Sequence, residues 1–395
     1  MWHHLPFFIT ILFLLQIQVA AEANQTDNSN DVLLTSQLGP YPVTINEYEI
    51  KTNRTDPLAP TPQLRNLMIT VHRPASKNFT CPTQNQARIP YAPPEVLKAL
   101  DDLLLSTGNS SLDTGGAAVA ALGRLQILNC TSSDISASSK NPILLFGPGL
   151  KATHHVYTGI TMASASFGYT VVALDHTYES AAVVFPDGSV NYTSPIGLKL
   201  SEDEDQPKGF ETIQNIRTAD VASVLDAIEK GEIPGIPKGK KQIAMYGHSL
   251  GGSTATNAAL KDKRIKAAVN LDGTFYGAPN RTTIHKPLLM VGGADEWKPI
   301  FSKSRGWKTW VKVDNTEHYG YTDLPQIADL MNVRDKAIPL SLTGTINSQR
   351  LQVIVSSYTN HFFDLFLRGE KSKFLQGPRA NFPDVPFIGH SQPKD

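Results

Sequence analysis

Cysteine is nearly absent: the 395 residues hold two, Cys81 and Cys130. No C-x-x-C pair and no H-E-x-x-H run occurs, so no sequence pattern points to a metal, and we expect neither metal nor cofactor. Neither cysteine lies near a histidine in a catalytic pattern, which argues against a thiolate nucleophile. Net charge is lacking too. Lys+Arg and Asp+Glu balance at 36 each and no basic patch stands out, so nothing electrostatic points to a nucleic acid. Internal repeats and linkers are missing, and we read one domain over 24–395, with an N-terminal extension over about 24–66. Long apolar runs are missing except near the start, and the polar end Ser391-Gln392-Pro393-Lys394-Asp395 fits neither a lipid-anchor tail nor a retention signal.

That one apolar run, Pro6 to Val19, is short for a membrane span. Small residues follow it, and Ala21-Glu22-Ala23 fits a signal-peptidase site, so residues 1–23 read as a secretory signal. Seven N-x-[ST] sequons agree with export: Asn24, Asn53, Asn78, Asn109, Asn129, Asn191 and Asn280. The expectation is a secreted glycoprotein. In an oxidising compartment the two cysteines, Cys81 and Cys130, are expected to form one disulfide.

Apolar residues make up 41% of the chain and charged ones 18%, enough to build a large core. The first half has extended and Pro-rich segments. Leu67 to His72 reads as a strand, Pro94 to Leu105 as a helix started by proline, and Ala117 to Leu128 as a second helix. From Pro142 onward, apolar strands alternate with helices. The strands are Ile143–Phe146, Tyr169–Leu174, Ile243–Tyr246, Ala267–Leu271, Pro287–Val291 and Trp310–Val313. The helices are Thr158–Ser166, Glu211–Lys230 and Ser348–Arg368. Strands joined this way form a mostly parallel sheet flanked by helices, with functional residues at the strands' carboxyl ends. The acidic run Glu202-Asp203-Glu204-Asp205 matches no EF-hand spacing and reads as a solvated loop.

One turn organises the chemistry. Gly247-His248-Ser249-Leu250-Gly251 follows a short apolar strand and opens a helix of small residues, the setting of a nucleophile elbow. A serine hydroxyl needs a base to take its proton and an acid to orient that base. With the chain order Ser, acid, His, the base lies downstream, among His285, His318, His361 and His390. His318 alone sits just past a strand end and is assigned as base. His361 falls among aromatics in the last helix and reads as packing, and His248 as support for the elbow. For the acid, Asp272 and Asp295 both end strands, and the spacing does not choose between them. Oxyanion donors are expected at the Leu250 N–H and, in the glycine-flanked turn after Phe146, at the Leu150 N–H.

Several motifs together resemble one family. Leu145-Phe146-Gly147-Pro148-Gly149-Leu150, Val171-Val172-Ala173-Leu174-Asp175-His176, Arg217-Thr218-Ala219-Asp220-Val221 and Gly247 to Gly252 are similar to the plasma-type platelet-activating factor acetylhydrolases and their microbial relatives. Asn270 to Gly277 and Glu317 to Asp323 extend the resemblance to about residues 40–385. It implies the α/β-hydrolase fold, Asp272 as the acid, and a calcium-independent, cofactor-free esterase acting on short or oxidised sn-2 acyl chains of phospholipids. The family's mammalian members carry histidine where this chain has Pro148.

The expected function is a secreted serine esterase acting through Ser249, His318 and Asp272, with small esters or phospholipids as substrates. Transient contact with a lipid interface fits this reading, and no obligate protein partner is argued. The alternatives are a cutinase-like, polyesterase or general carboxylesterase activity on other esters, and a catalytically silent hydrolase-fold binding protein.

Overall fold

The computed structural model describes residues 31–75, 86–105, 122–130, 141–203, 205–293, 295–332, 334 and 340–391. The expected signal peptide, Asn24, Asn78, Asn109, Cys81 and Glu204 lie outside these residues.

The described strands are β1 (Val32–Leu34), β2 (Val43–Ile50), β3 (Leu67–Pro74), β4 (Gln86–Pro90), β5 (Leu125–Cys130), β6 (Ile143–Gly147), β7 (Thr170–Leu174), β8 (Ala182–Val184), β9 (Val190–Tyr192), β10 (Ile243–His248), β11 (Ile265–Leu271), β12 (Leu288–Val291), β13 (Lys308–Val311) and β14 (Phe387–Ser391). The longer helices are α1 (Pro94–Leu105), α2 (Thr158–Ser166), α3 (Gln206–Lys230), α4 (Leu250–Lys261) and α5 (Ser348–Phe363).

Nine strands form one sheet in the order β14-β13-β12-β11-β10-β6-β7-β3-β2. The run from β13 to β7 is parallel throughout. Antiparallel β3 and β2 extend it at one edge and antiparallel β14 at the other. The fold is that of an α/β-hydrolase, a mostly parallel sheet flanked by helices. β6 illustrates why an unbroken apolar run can be a strand here. Leu144 and Phe146 enter one apolar layer, Ile143 and Leu145 the other, so both faces are covered. Each such fully buried side chain contributes about 1.5–3 kcal/mol over its exposed state. α2 and α5 cover the first layer, and α3 and α4 the second.

From β6 the chain crosses to β7 on one side and later returns to β10 on the other. The loops after β6 and β10 therefore part at their carboxyl ends, opening the crevice in which α/β sheets place ligands. Gly147 and Gly247, the first glycines of the two turns, face each other in register across that gap.

α3 begins with Pro207 in its first turn and ends at Gly231, whose φ of 75° closes a Schellman turn: Gly231 N–H donates to Ile228 O and Glu232 N–H to Ala227 O. α5 continues as a π-helical turn, Asp364–Arg368.

The sequence-based expectation fails in one place. The described part of the supposed helix Ala117–Leu128 contains β5, which pairs with β1 and β4 in a separate three-stranded sheet. Leu125 and Ile127 are buried at period two, as strand pairing on one face requires. The N-terminal segment before β3 supplies β2, the full-length edge partner of β3. Cys130 ends β5, buried and disulfide-bonded; its expected partner Cys81 lies outside the described residues.

Candidate active site

Ser249 stands between β10 and α4 with φ 54° and ψ −126°, a conformation L-residues rarely adopt. Its N–H donates to Leu271 O at 2.9 Å, which pins the turn to β11. The flanking glycines are sterically required. A Cβ on Gly251 would lie 2.0 Å from Gly147 O, and one on Gly247 2.5 Å from Gly251 C. The turn that lifts the hydroxyl clear of the sheet therefore depends on β6 and α4 touching through bare backbone.

His318 follows β13 in a short 3-10 turn, His318–Tyr321. Its Nε2 lies 3.0 Å from Ser249 Oγ, and its Nδ1 2.7 Å from Asp272 Oδ2. Asp272 follows β11 directly with φ 50°, and its N–H donates to Val291 O, so the kink turns the carboxylate into the crevice. Gly293 N–H donates to Asp272 Oδ1 at 3.2 Å. The side chains of His318 and Asp272 keep 26% and 16% of their surface exposed, so the group is partly sheltered yet reachable. The other carboxylate, Asp295, is 82% exposed and pairs with Lys298 at 3.1 Å. The structure thus brings Ser249, His318 and Asp272 together and leaves Asp295 on the surface. Of the remaining histidines, His361 stacks on Phe374, His390 bonds to Thr309 Oγ1, and His285 is exposed.

The turn after β6 runs beside Ser249: a Cβ on Gly149 would lie 3.5 Å from Ser249 Cβ. Its orientation is set from beneath by Arg217, which the sequence reading placed only within a motif. The buried guanidinium donates to Pro148 O at 2.7 Å and Gly149 O at 2.9 Å, and grips Glu179 with Nε and Nη2, both at 2.6 Å. Because C=O and N–H of a trans peptide point in opposite directions, binding Gly149 O from below turns the Leu150 N–H away from Arg217. Among the described residues no acceptor takes up the Leu150 or Leu250 N–H. Burial works against the charge on Glu179, but the adjacent guanidinium outweighs it and holds the carboxyl below its ordinary value.

Tyr157 and His248 complete the frame. Gly149 N–H donates to Tyr157 Oη at 3.0 Å. Tyr157 Oη lies 2.9 Å from His248 Nδ1, and His248 Nε2 lies 2.9 Å from the His318 carbonyl. A carbonyl can only accept, so Nε2 carries the proton and Nδ1 accepts from the tyrosine hydroxyl. Burial and the neighbouring His318 push the His248 imidazole well below its ordinary value, which keeps it neutral. His248 thus ties the turn after β6 to the backbone of His318. Tyr157 was missed in the sequence because its only signal is its position a few residues beyond Gly149.

Asp220 of the Arg217 motif is a structural anchor. It takes Arg65 through both carboxylate oxygens, at 2.6 and 2.7 Å, and His176 Nδ1 at 2.9 Å. Burial opposes its charge, yet Arg65 holds it far below the usual carboxylate range. In the acidic run, Glu202 pairs with Lys151 at 3.1 Å and Asp203 Oδ1 accepts from Asp205 N–H. Of the described sequons, Asn53 and Asn280 are exposed and Asn191 is half-buried. The Asn129 amide is occupied by the backbone of Ile45, accepting from its N–H and donating to its O.

The sequence model of the family described as "Platelet-activating factor acetylhydrolase, isoform II" matches residues 107–233 and 238–319. An Arthroderma benhamiae protein named "Probable 1-alkyl-2-acetylglycerophosphocholine esterase" is 26% identical over 94% of this chain and 97% of its own length. A Cavia porcellus platelet-activating factor acetylhydrolase is 24% identical over 61% of each chain. Among solved structures, a ferulic acid esterase from Streptomyces cinnamoneus superimposes with a TM-score of 0.71 at 25% identity, covering 90% of this chain and 99% of that one.

Proposed function

The chain belongs to the platelet-activating factor acetylhydrolase, isoform II, family and is a hydrolase acting on esters; from that premise we propose that it is a secreted serine esterase removing the short sn-2 acyl group of platelet-activating-factor-like phospholipids. The observation that carries the reading is the unbroken contact Ser249 Oγ, His318 Nε2, His318 Nδ1, Asp272 Oδ2, at 3.0 and 2.7 Å, beside two free backbone amides.

Ser249 Oγ attacks the ester carbonyl carbon while its proton passes to His318 Nε2, and Asp272 stabilises the imidazolium through Nδ1–H. The negative oxygen of the tetrahedral adduct is held by the Leu150 and Leu250 amides. Collapse breaks the bond to the sn-2 oxygen, which leaves as the lyso-phospholipid alcohol with the proton from Nε2. Water, deprotonated by the same nitrogen, then attacks the acyl-Ser249 ester, releasing the free acid and restoring the serine.

A substrate panel tests the reading. Higher kcat/KM on a 2-acetyl phospholipid than on an aryl or polyester substrate supports it, and the reverse order overturns the substrate assignment. The second reading, a carboxylesterase for non-phospholipid esters, is favoured by the fold likeness to the ferulic acid esterase, so a feruloyl ester belongs in the panel. Failure of a fluorophosphonate to label Ser249 would favour a catalytically silent binding protein. Secretion rests on the segment 1–23 and the sequons. Recovery in the culture medium, with a mass loss on deglycosylation, is expected, and purely intracellular protein would refute it.

A further inference from the structure

Away from Ser249, the sheet face beneath α2 gathers a second group of chemistry-bearing side chains. In the register of β2 on β3, Glu47 lies opposite Thr70. Thr70 in turn lies opposite Ala173 of β7, and Asp175 stands two residues further on. Strand periodicity puts Glu47, Thr70 and Asp175 on one face. Over that face runs the 3-10 turn His154–Tyr157, which carries two adjacent imidazoles with ring centroids 3.9 Å apart and planes inclined at 34°.

One ligand atom from each of Glu47, His154 and His155 lies within 4.8 Å of the other two. His155 Nε2 is 3.8 Å from Glu47 Oε1. Zinc bonds of about 2.0–2.1 Å place tetrahedral ligand atoms a little over 3 Å apart, so the group must draw in from its present spread to close on an ion. Asp175 supplies what a metal-ligating histidine requires behind it. Its Oδ2 lies 2.7 Å from His154 Nδ1, and its Oδ1 accepts the His154 N–H at 2.7 Å. This fixes the tautomer, leaves Nε2 as the ligand atom and sets the ring's direction, the carboxylate–histidine–zinc arrangement. Nε2 rests 2.7 Å from Thr70 Oγ1, a contact an ion would replace.

Charge agrees with this reading. Two carboxylates, Glu47 and Asp175, serve the group, and one divalent cation offsets both. Access agrees as well, since both histidines are buried while the Glu47 side chain is 49% exposed and opens the group to solvent. The donor set of two imidazoles and a carboxylate selects zinc-class ions over calcium or magnesium, and three protein ligands leave a fourth position for water.

We propose that Glu47, His154 and His155 form a binding site for a zinc-class divalent ion, clamping edge strand β2 to the segment that leads from the Gly149 turn to Tyr157. The proposal is independent of the triad assignment above. It is tested on the metal-free full-length protein by titration with Zn²⁺, followed by calorimetry, and with Co²⁺, followed by visible absorption. Uptake of one equivalent, intense four-coordinate Co²⁺ bands and a melting temperature that rises with Zn²⁺ are expected. Glu47→Gln and His155→Ala should abolish the bands and the thermal shift, and Asp175→Asn should weaken affinity about 10–100-fold. Circular dichroism confirms that each variant is folded. If Asp175→Asn does not fold, the surface-accessible Glu47→Gln decides. No stoichiometric uptake by the parent, or uptake unchanged in both Glu47→Gln and His155→Ala, overturns the site.

Discussion

Among the described residues, two hydroxyl–imidazole–carboxylate chains have nearly equal geometry. In one, Ser249 Oγ, His318 and Asp272 are linked at 3.0 and 2.7 Å. In the other, Thr70 Oγ1, His154 and Asp175 are linked at 2.7 and 2.7 Å. Distances alone do not distinguish them, but their settings do. Ser249 sits on a strained turn beside two unoccupied amides at the point where the strand order reverses, with His318 partly open to solvent. Thr70 lies mid-strand in β3, buried like His154, with no turn to expose its hydroxyl. Linked residues make a nucleophile only where an ester can reach them and where the developing oxyanion finds donors.

Breaking each chain at its hydroxyl should separate them most widely. Ser249→Ala is expected to lower kcat by about 10⁶, as loss of a triad nucleophile does. Thr70→Val should leave kcat unchanged and cost about 1 kcal/mol of stability from the lost hydrogen bond, read by denaturant unfolding. Equal kinetic losses in the two variants would erase the distinction.

The carboxylate comes next. Asp272→Asn should reduce kcat by about 10⁴ with the fold intact, because the imidazole loses its orienting charge. Asp295→Asn, altered at an exposed ion pair, should leave steady-state kinetics at the parent value. If Asp295→Asn alone fell by orders of magnitude, the acid would be misassigned.

The oxyanion frame is expected to matter less. Lysine cannot reproduce the paired donation of Arg217 to the Pro148 and Gly149 carbonyls while also gripping Glu179. Arg217→Lys should lower kcat about 10²–10³-fold with KM little changed, since in the proposed mechanism the Leu150 amide is needed most in the transition state. A loss confined to KM would place Arg217 in substrate binding instead.

The smallest effect concerns stability around the His318 turn. Asp323 accepts from Gly159 N–H at 2.9 Å and from Tyr91 Oη at 3.0 Å, and burial raises its carboxyl to about 7. A carboxyl whose folded value is raised contributes stability that is fully present below its ordinary value of 3.8 and is lost as pH rises through about 7. The parent should therefore lose melting temperature relative to Asp323→Asn between pH 4 and 7. Parallel curves across that window would refute this origin.

Much of the scaffold was legible in the sequence because its signals are local. Apolar runs such as Ile143–Phe146 and the glycine turns at 147–149 and 247–251 mark strands and their exits without reference to anything distant. β5 was misread because its evidence, the pairing of Leu125–Cys130 with β1 and β4, lies in segments remote along the chain. Tyr157 and Glu179 were not singled out for the same reason. Each matters through a hydrogen bond to a turn or helix that only the fold brings near.

By itself the sequence determined the alternating strands and helices, the serine elbow and the order of serine, acids and histidine, since these depend on side-chain periodicity and on where a Cβ is tolerated. Asp272 and Asp295 remained equivalent at that level, each ending a strand, until the family resemblance favoured the first. The tertiary structure set them apart physically. The positive φ at Asp272 turns its carboxylate under His318, while Asp295 faces water and Lys298. The same packing, through the register of β2, β3 and β7, placed Glu47 beside His154 and His155. A hydrogen-bond partner or shared ligand depends on strand order and register, which are collective properties of the whole sheet.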